Sequence, residues 1–188
     1  KKGQSKIFNN RFLENRDAID VDLAEAKIYQ NIILDSLDDG IDVGTAGPVE
    51  IFENVIQNSG DKALSIGEGS NVIVTSNYIA KNNFGLAIKD GSQAKIAGNF
   101  LFKNKIAVSV YEKVDCQATR SLGEMISGES FSGDNQVPLK IRGNEMSASV
   151  KGLTLHPKSQ KQMLAMALKK FSKCEMCLSA LKQNQVKQ

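Results

Sequence analysis

Asp20 and Asp42 stand 22 residues apart, each flanked by apolar β-formers in Ile19-Asp20-Val21 and Ile41-Asp42-Val43. Asp17, Asp39 and Lys62 form a second set at intervals of 22 and 23, with Asp38 and Asp61 beside it. If equivalent residues sit on neighbouring strands, the backbones of Asp20 and Asp42 are about 5 Å apart. Two carboxylates that close repel, so one pKa must rise or a cation such as Ca²⁺ must lie between them. Paired carboxylates are also what glycoside hydrolysis needs, and their separation sets its stereochemistry. Asp39, Asp42 and Asp61 are therefore the candidate catalytic acids. Asp17, Asp20, Asp38, Asp39 and Asp42 form a candidate binding face for a saccharide, with Asp20 and Asp42 as the Ca²⁺ candidates. The plainer alternative is that turn Asp residues bond neighbouring backbone amides and face solvent.

A second constellation lies near the other end. Cys174-Glu175-Met176-Cys177 is a CxxC, and with Cys116 and His156 it supplies enough N and S ligands for one zinc site. The pair falls within a helical pattern, with no second CxxC and no thioredoxin-like strand–helix–strand context. Ordinary buried thiols are the simpler reading. His156 is the sole histidine, which removes most catalytic triads and multi-His metal centres. Beside Pro157 it reads as a loop residue.

The elements that must position these groups emerge from composition and period. The chain has 188 residues, with 24 Lys and Arg against 21 Asp and Glu. Three Cys do not make a disulfide scaffold. No apolar run approaches the roughly 18 residues that span a bilayer. Residues 14–42 hold nine acids and two bases, whereas residues 151–188 hold eight Lys and one acid. A solvated helix face explains that basic tail more simply than nucleic-acid binding does. The start shows neither Met nor a leader pattern, as expected of a processed product or an excerpt from a longer protein.

Self-similarity is the strongest signal. Asn10, Asn31, Asn54, Asn77 and Asn99 close five alignable segments at spacings of 21, 23, 23 and 22. A second register, beginning at Ile19, Ile41, Leu64, Leu86 and Val108, repeats at 22, 23, 22 and 22. Within each unit, apolar and polar residues alternate over three to five positions between Gly, Asn, Asp and Ser turns, a strand pattern. A unit of about 22 residues cannot bury its own apolar face, so the coils must stack. Stacking predicts two inward ladders, one from Ile19 to Val108 and one from Val21 to Val110. It also predicts an Asn turn ladder bonded from coil to coil.

With these residues in place, the chain resembles the right-handed parallel β-helix repeat of the pectin-lyase-like superfamily over residues 4–113. Gly60-Asp61-Lys62-Ala63-Leu64-Ser65-Ile66-Gly67-Glu68 and Gly85-Leu86-Ala87-Ile88-Lys89-Asp90 are similar to β-helix regions of large bacterial surface or secreted proteins, some with CotH-like kinase domains. Compared with polygalacturonase-like enzymes, the Asn-Thr-Asp motif falls on Leu37-Asp38-Asp39 and the paired Asp on Asp61-Lys62. Gly-His-Gly falls on Asn83-Phe84-Gly85, and Arg-Ile-Lys on Ala87-Ile88-Lys89. Asp39, Asp61 and Lys89 are kept; the second Asp, the His and the Arg are Lys62, Phe84 and Ala87. Losing one of the paired acids removes the general acid or the base that activates water. Lys62 on Asp39 reads instead as an ion ladder. β-Helix lyases of the superfamily use Ca²⁺ with a Lys or Arg base, and Lys62 or Lys89 would fill that place.

Beyond Lys113 the period fades. Residues 114–155 are expected to form irregular coils, with Leu122, Ile126 and Phe131 inward, and the stretch 137–155 forms either a hairpin or two partial coils. Residues 156–188 contain an amphipathic helix over 158–183 that caps the open end of the solenoid or binds a partner. The expected protein is an all-β parallel β-helix with a C-terminal helix. It serves as a non-catalytic binding or structural module of a larger bacterial surface or secreted protein, with polysaccharide as its partner. The competing expectation is a lyase, hydrolase or epimerase acting on an acidic polysaccharide.

Overall fold

The computed structural model describes residues 4–111 in full, the backbone of five further strands between 125 and 155, and Cys177 and Ser179. Each coil contributes three short strands. The first coil has β1 (Ser5–Phe8), β2 (Arg11–Leu13) and β3 (Ile19–Asp22). The second has β4 (Ala26–Tyr29), β5 (Ile32–Leu34) and β6 (Ile41–Gly44), and the third β7 (Val49–Phe52), β8 (Val55–Gln57) and β9 (Lys62–Gly67). β10 (Asn71–Thr75), β11 (Tyr78–Ala80) and β12 (Phe84–Lys89) form the fourth, and β13 (Gln93–Ala97), β14 (Phe100–Phe102) and β15 (Ile106–Tyr111) the fifth. β16 (Met125–Ser127), β17 (Ser130–Phe131), β18 (Val137–Ile141), β19 (Ser149–Lys151) and β20 (Thr154–Leu155) extend the stack.

Every strand pairs in parallel with its copy in the next coil, giving sheets of seven, seven and six strands. The stretch 137–155 adds strands to all three sheets, so it is not a hairpin. β18 continues the third sheet with Val108 beside Leu139, while β19 and β20 continue the other two. In backbone register Ile126 aligns with Ile96 and Phe131 with Leu101. Leu122 and the helix over 158–183 lie outside the described residues, except that Cys177 and Ser179 are helical.

The core is a set of ladders. Ile19, Ile41, Leu64, Leu86 and Val108 stack in register, as do Val21, Val43, Ile66, Ile88 and Val110. Ile28, Ile51, Val74 and Ile96 line the first sheet, and Ile33, Ile56, Ile79 and Leu101 the second. All are buried, and each full burial of such a side chain favours folding by about 1.5–3 kcal/mol.

Polar ladders close the corners. Between the first and second sheets, Asn54 Nδ2 donates to Asn77 Oδ1 at 3.0 Å and Asn77 Nδ2 to Asn99 Oδ1 at 2.9 Å. Between the third and first, Ser92 Oγ accepts from the Ser70 N–H at 3.2 Å. Asn82 and Asn104 do the same work between the second and third. The buried turns therefore satisfy their backbone groups from the coil above.

Alternation misleads on one point. Asp20, Asp42, Ser65, Ala87 and Ser109 form one outward column, yet Ser65, Ala87 and Ser109 are 0%, 0% and 2% exposed. Strand period tells which side a residue faces, not whether that side is covered.

Candidate functional site

The corner between the second and third sheets gathers the acids. Asp17 Oδ1 accepts the Asp39 N–H at 2.9 Å, and Asp39 Oδ1 accepts the Lys62 N–H at 2.9 Å. The Lys62 ammonium lies 3.5 Å from that same Asp39 oxygen and also bonds Asp61 Oδ2. One oxygen each of Asp38, Asp39 and Asp61 lie within 4.8 Å of one another. Arg16 sits 3.9 Å from Asp38 at the exposed edge. The column Asp17–Asp39–Lys62 is thus a turn ladder in which a carboxylate caps the next coil's backbone, and Lys62 supplies its cation.

Burial pushes the Asp39 carboxyl above the usual carboxylate range, against the pull of Lys62. Burial works against the Lys62 charge, but its bond to Asp61 and the charges of Asp39 and Asp61 outweigh that and hold it above the ordinary lysine value. Lys62 is thus held toward its charged form by the acids on either side of it.

Asp20 and Asp42 face each other across β3 and β6 in direct register, as their spacing predicts. Asp20 is exposed and Asp42 half-buried. Desolvation, then the charges of Asp22, Asp42 and Asp17, raise the Asp20 pKa.

The remaining candidates are spread along the third sheet. Asp42 is three residues beyond Asp39, so its Cα is about 10 Å further along. Lys89 follows by five residues Phe84, which aligns with Lys62, and is about 16 Å away. Lys89 is buried; a Cβ at Gly67 would lie 2.9 Å from its Cε. The fold brings together Asp38, Asp39, Asp61 and Lys62, and separately Asp20 with Asp42. Asp42 is not among the three acids within 4.8 Å of one another, although its charge reaches Asp39, and Lys89 lies further along the third sheet.

A family model described as "Periplasmic copper-binding protein (NosD)" matches residues 1–137. The chain belongs to the NosD family. No curated protein and no solved structure matches it. The family description raises the question of copper, which the fully described coils, residues 4–111, can be tested against. Thiolate and thioether suit Cu(I), and imidazole suits copper generally. Residues 4–111 contain no Cys, Met or His, so these five coils offer copper oxygen donors and no soft or imidazole ligand. The carboxylate cluster on these NosD coils is a hard-oxygen set in which Lys62 offsets part of the negative charge.

Cys177, one of the zinc candidates, is buried and disulfide-bonded, with its Sγ 3.9 Å from the Glu53 carbonyl of the third coil. A disulfide sulfur is not the thiolate that zinc takes, so Cys177 is neither a ligand in this state nor a free thiol. Cys116, His156 and Cys174 lie outside the described residues.

Attention to acids misses a basic feature of the same corner. Asn58, Ser59, Gly60, Lys81, Asn82, Asn83, Lys103 and Lys105 line a groove of about 600 Å³. Its signal is in the period, since Lys81 and Lys103 are 22 residues apart. The aromatic stack of Phe8, Tyr29 and Phe52, with centroids 5.0 and 4.8 Å apart, was equally legible from spacing.

Proposed function

We propose that this NosD-family chain is a non-catalytic binding and scaffolding module of a larger periplasmic or cell-surface protein, with polysaccharide as its ligand class. The observation that carries the reading is Lys62 lodged between Asp39 and Asp61. The two acids best placed to act as an acid–base pair are held by one ammonium, and Asp39 also caps a backbone amide. On this reading both serve the ladder as structural acids rather than as a proton donor and a base for water. The periplasmic family description and the disulfide at Cys177, a bond that persists in oxidising compartments, both support the location.

A screen of binding and cleavage across acidic and neutral polysaccharides, with and without Ca²⁺, tests this directly. Binding without product release is expected. Turnover that disappears in Asp39→Asn or Asp42→Asn would overturn the non-catalytic reading. Calorimetric titration with Ca²⁺ alone checks whether the Asp20–Asp42 pair takes a cation.

A further inference from the structure

We infer that the groove lined by Lys81, Lys103 and Lys105 is an oxyanion site that holds the acidic groups of a uronate-type glycan. This deepens the proposed function and rests on its polysaccharide reading. Glu14, Asp35, Asn58, Lys81 and Lys103 occupy one left-handed turn position in five successive coils, with φ between 52° and 62°. The column runs from two acids through a neutral amide to two cations. Elsewhere the solenoid resolves stacked charge internally. Lys27 pairs with Glu50 at 3.0 Å, and Lys62 with Asp39 and Asp61.

Lys81 and Lys103 are not resolved in this way. The Lys81 N–H donates to the Phe102 carbonyl at 3.0 Å, so their coils are in direct contact. Lys105 adds a third cation to the same groove, and among the described residues no acid lines it. Asp35 reaches only its rim, where it accepts from the Asn58 amide at 2.6 Å. Among the described residues, none of the three has a carboxylate within 4.0 Å. Like charges on adjacent strands repel, and an oxyanion between them removes the repulsion. Lys103 Nζ stands 5.4 Å from the Phe102 ring centre, which keeps it over the corner.

The ligand's chemistry follows from what the groove offers. Ammonium groups suit carboxylates, and side chains of Asn58 and Asn83 suit sugar hydroxyls. Among the described residues no aromatic side chain lines the groove for a base to stack on, which disfavours single-stranded nucleic acid. The acids of the first two coils repel a polyanion, confining it to the third, fourth and fifth.

The test uses the full chain and four probes: an oligogalacturonate, its methyl-esterified neutral counterpart, sulfate, and a single-stranded DNA oligomer. Amide shifts and calorimetry should show the oligogalacturonate bound at Lys81, Asn83 and Lys103, weakening with salt. Lys81→Gln/Lys103→Gln/Lys105→Gln should bind it about tenfold or more weakly. Lys6→Gln/Lys95→Gln, on another face, should bind normally. Matching unfolding midpoints would show that these exposed changes leave the fold intact. Equal binding of the neutral oligomer, undiminished in the triple variant, overturns this site but keeps the glycan reading. Failure of every glycan overturns both. Sulfate alone binding here removes the glycan assignment, and tighter DNA binding replaces it with nucleic acid.

Discussion

The Asp39 carboxylate accepts the main-chain N–H of Lys62 at 2.9 Å while the Lys62 ammonium lies 3.5 Å from the same oxygen. One side chain thus caps a coil and pairs with a charge. Asp39→Ala removes both roles and leaves a buried donor, at a cost of about 1–3 kcal/mol. Asp39→Asn keeps an Oδ1 for the N–H and removes the burial cost of the charge, so it should cost under about 1 kcal/mol. Urea unfolding of the two variants measures this; equal losses would mean that the cap contributes nothing.

The Asn ladder predicts a position-dependent effect. Asn77 Nδ2 donates to the Ile51 carbonyl at 2.9 Å and to Asn99 at 2.9 Å, while Asn77 Oδ1 accepts the Asn54 N–H at 3.0 Å. Its replacement by Ala strands several buried groups and should cost about 3–5 kcal/mol. Asn10, at the exposed end, should cost about 1 kcal/mol or less. Similar losses at both sites would show that burial does not set the ladder's strength.

These ladders were the most legible part of the sequence because stacking turns a period of 22 or 23 into direct contact. Asn10 to Asn99, Ile19 to Val108 and the Asp20–Asp42 pair all fall where that spacing puts them. The candidate site was less legible. Spacing aligned Lys62 with Asp39 but gave no sign that its ammonium would also bond Asp61, its neighbour in the chain. Nor did spacing show that Lys89 is buried along Gly67. Burial on the outer face depends on what covers a strand, which the strand's own alternation does not encode.

Two glycines separate space from conformation. A Cβ at Gly60 would lie 2.2 Å from the Leu37 carbonyl oxygen, a backbone atom that cannot swing away. Gly60→Ala should therefore spread the second and third coils and cost about 1–3 kcal/mol. Gly69 has φ +72° with open space around it. Gly69→Ala should cost about 1 kcal/mol through strain alone, and Gly69→Asn less. Thermal or urea midpoints rank the three variants; Gly60→Ala unfolding like wild type would contradict the close packing.

Asp20 gives the pH prediction. Its folded pKa is raised by desolvation and then by Asp22, Asp42 and Asp17. A raised folded pKa means that folding takes up protons between the unfolded and folded values. Its contribution is complete below the unfolded pKa and is lost as pH rises through the folded one. Asp42→Asn should move the Asp20 titration back toward the ordinary aspartate range and flatten this part of the stability profile. Carbon-detected NMR titration of Asp20 reads the shift, and an unchanged midpoint in Asp42→Asn would remove Asp42 as a cause.

Lys62 also decides whether the Asp38–Asp39–Asp61 cluster can hold a metal. Three carboxylate oxygens within 4.8 Å are close enough to share one divalent ion, yet the ammonium already occupies two of the acids. A cation entering the wild-type cluster must displace a partly buried charge that would then lack a partner. Lys62→Gln removes that competitor and leaves a hard-oxygen site suited to Ca²⁺ rather than to copper. The variant should be less stable than wild type without metal and should recover as Ca²⁺ is added, because binding to the folded state alone stabilises it by mass action. Wild type should show no such response at this cluster. Calcium-dependent unfolding midpoints measured on both proteins, with Asp39→Asn/Lys62→Gln as the control that lacks one ligand, distinguish the cases. A Ca²⁺-induced shift in wild type that Asp39→Asn abolishes would show that the carboxylates, not Lys62, set the charge balance of this corner.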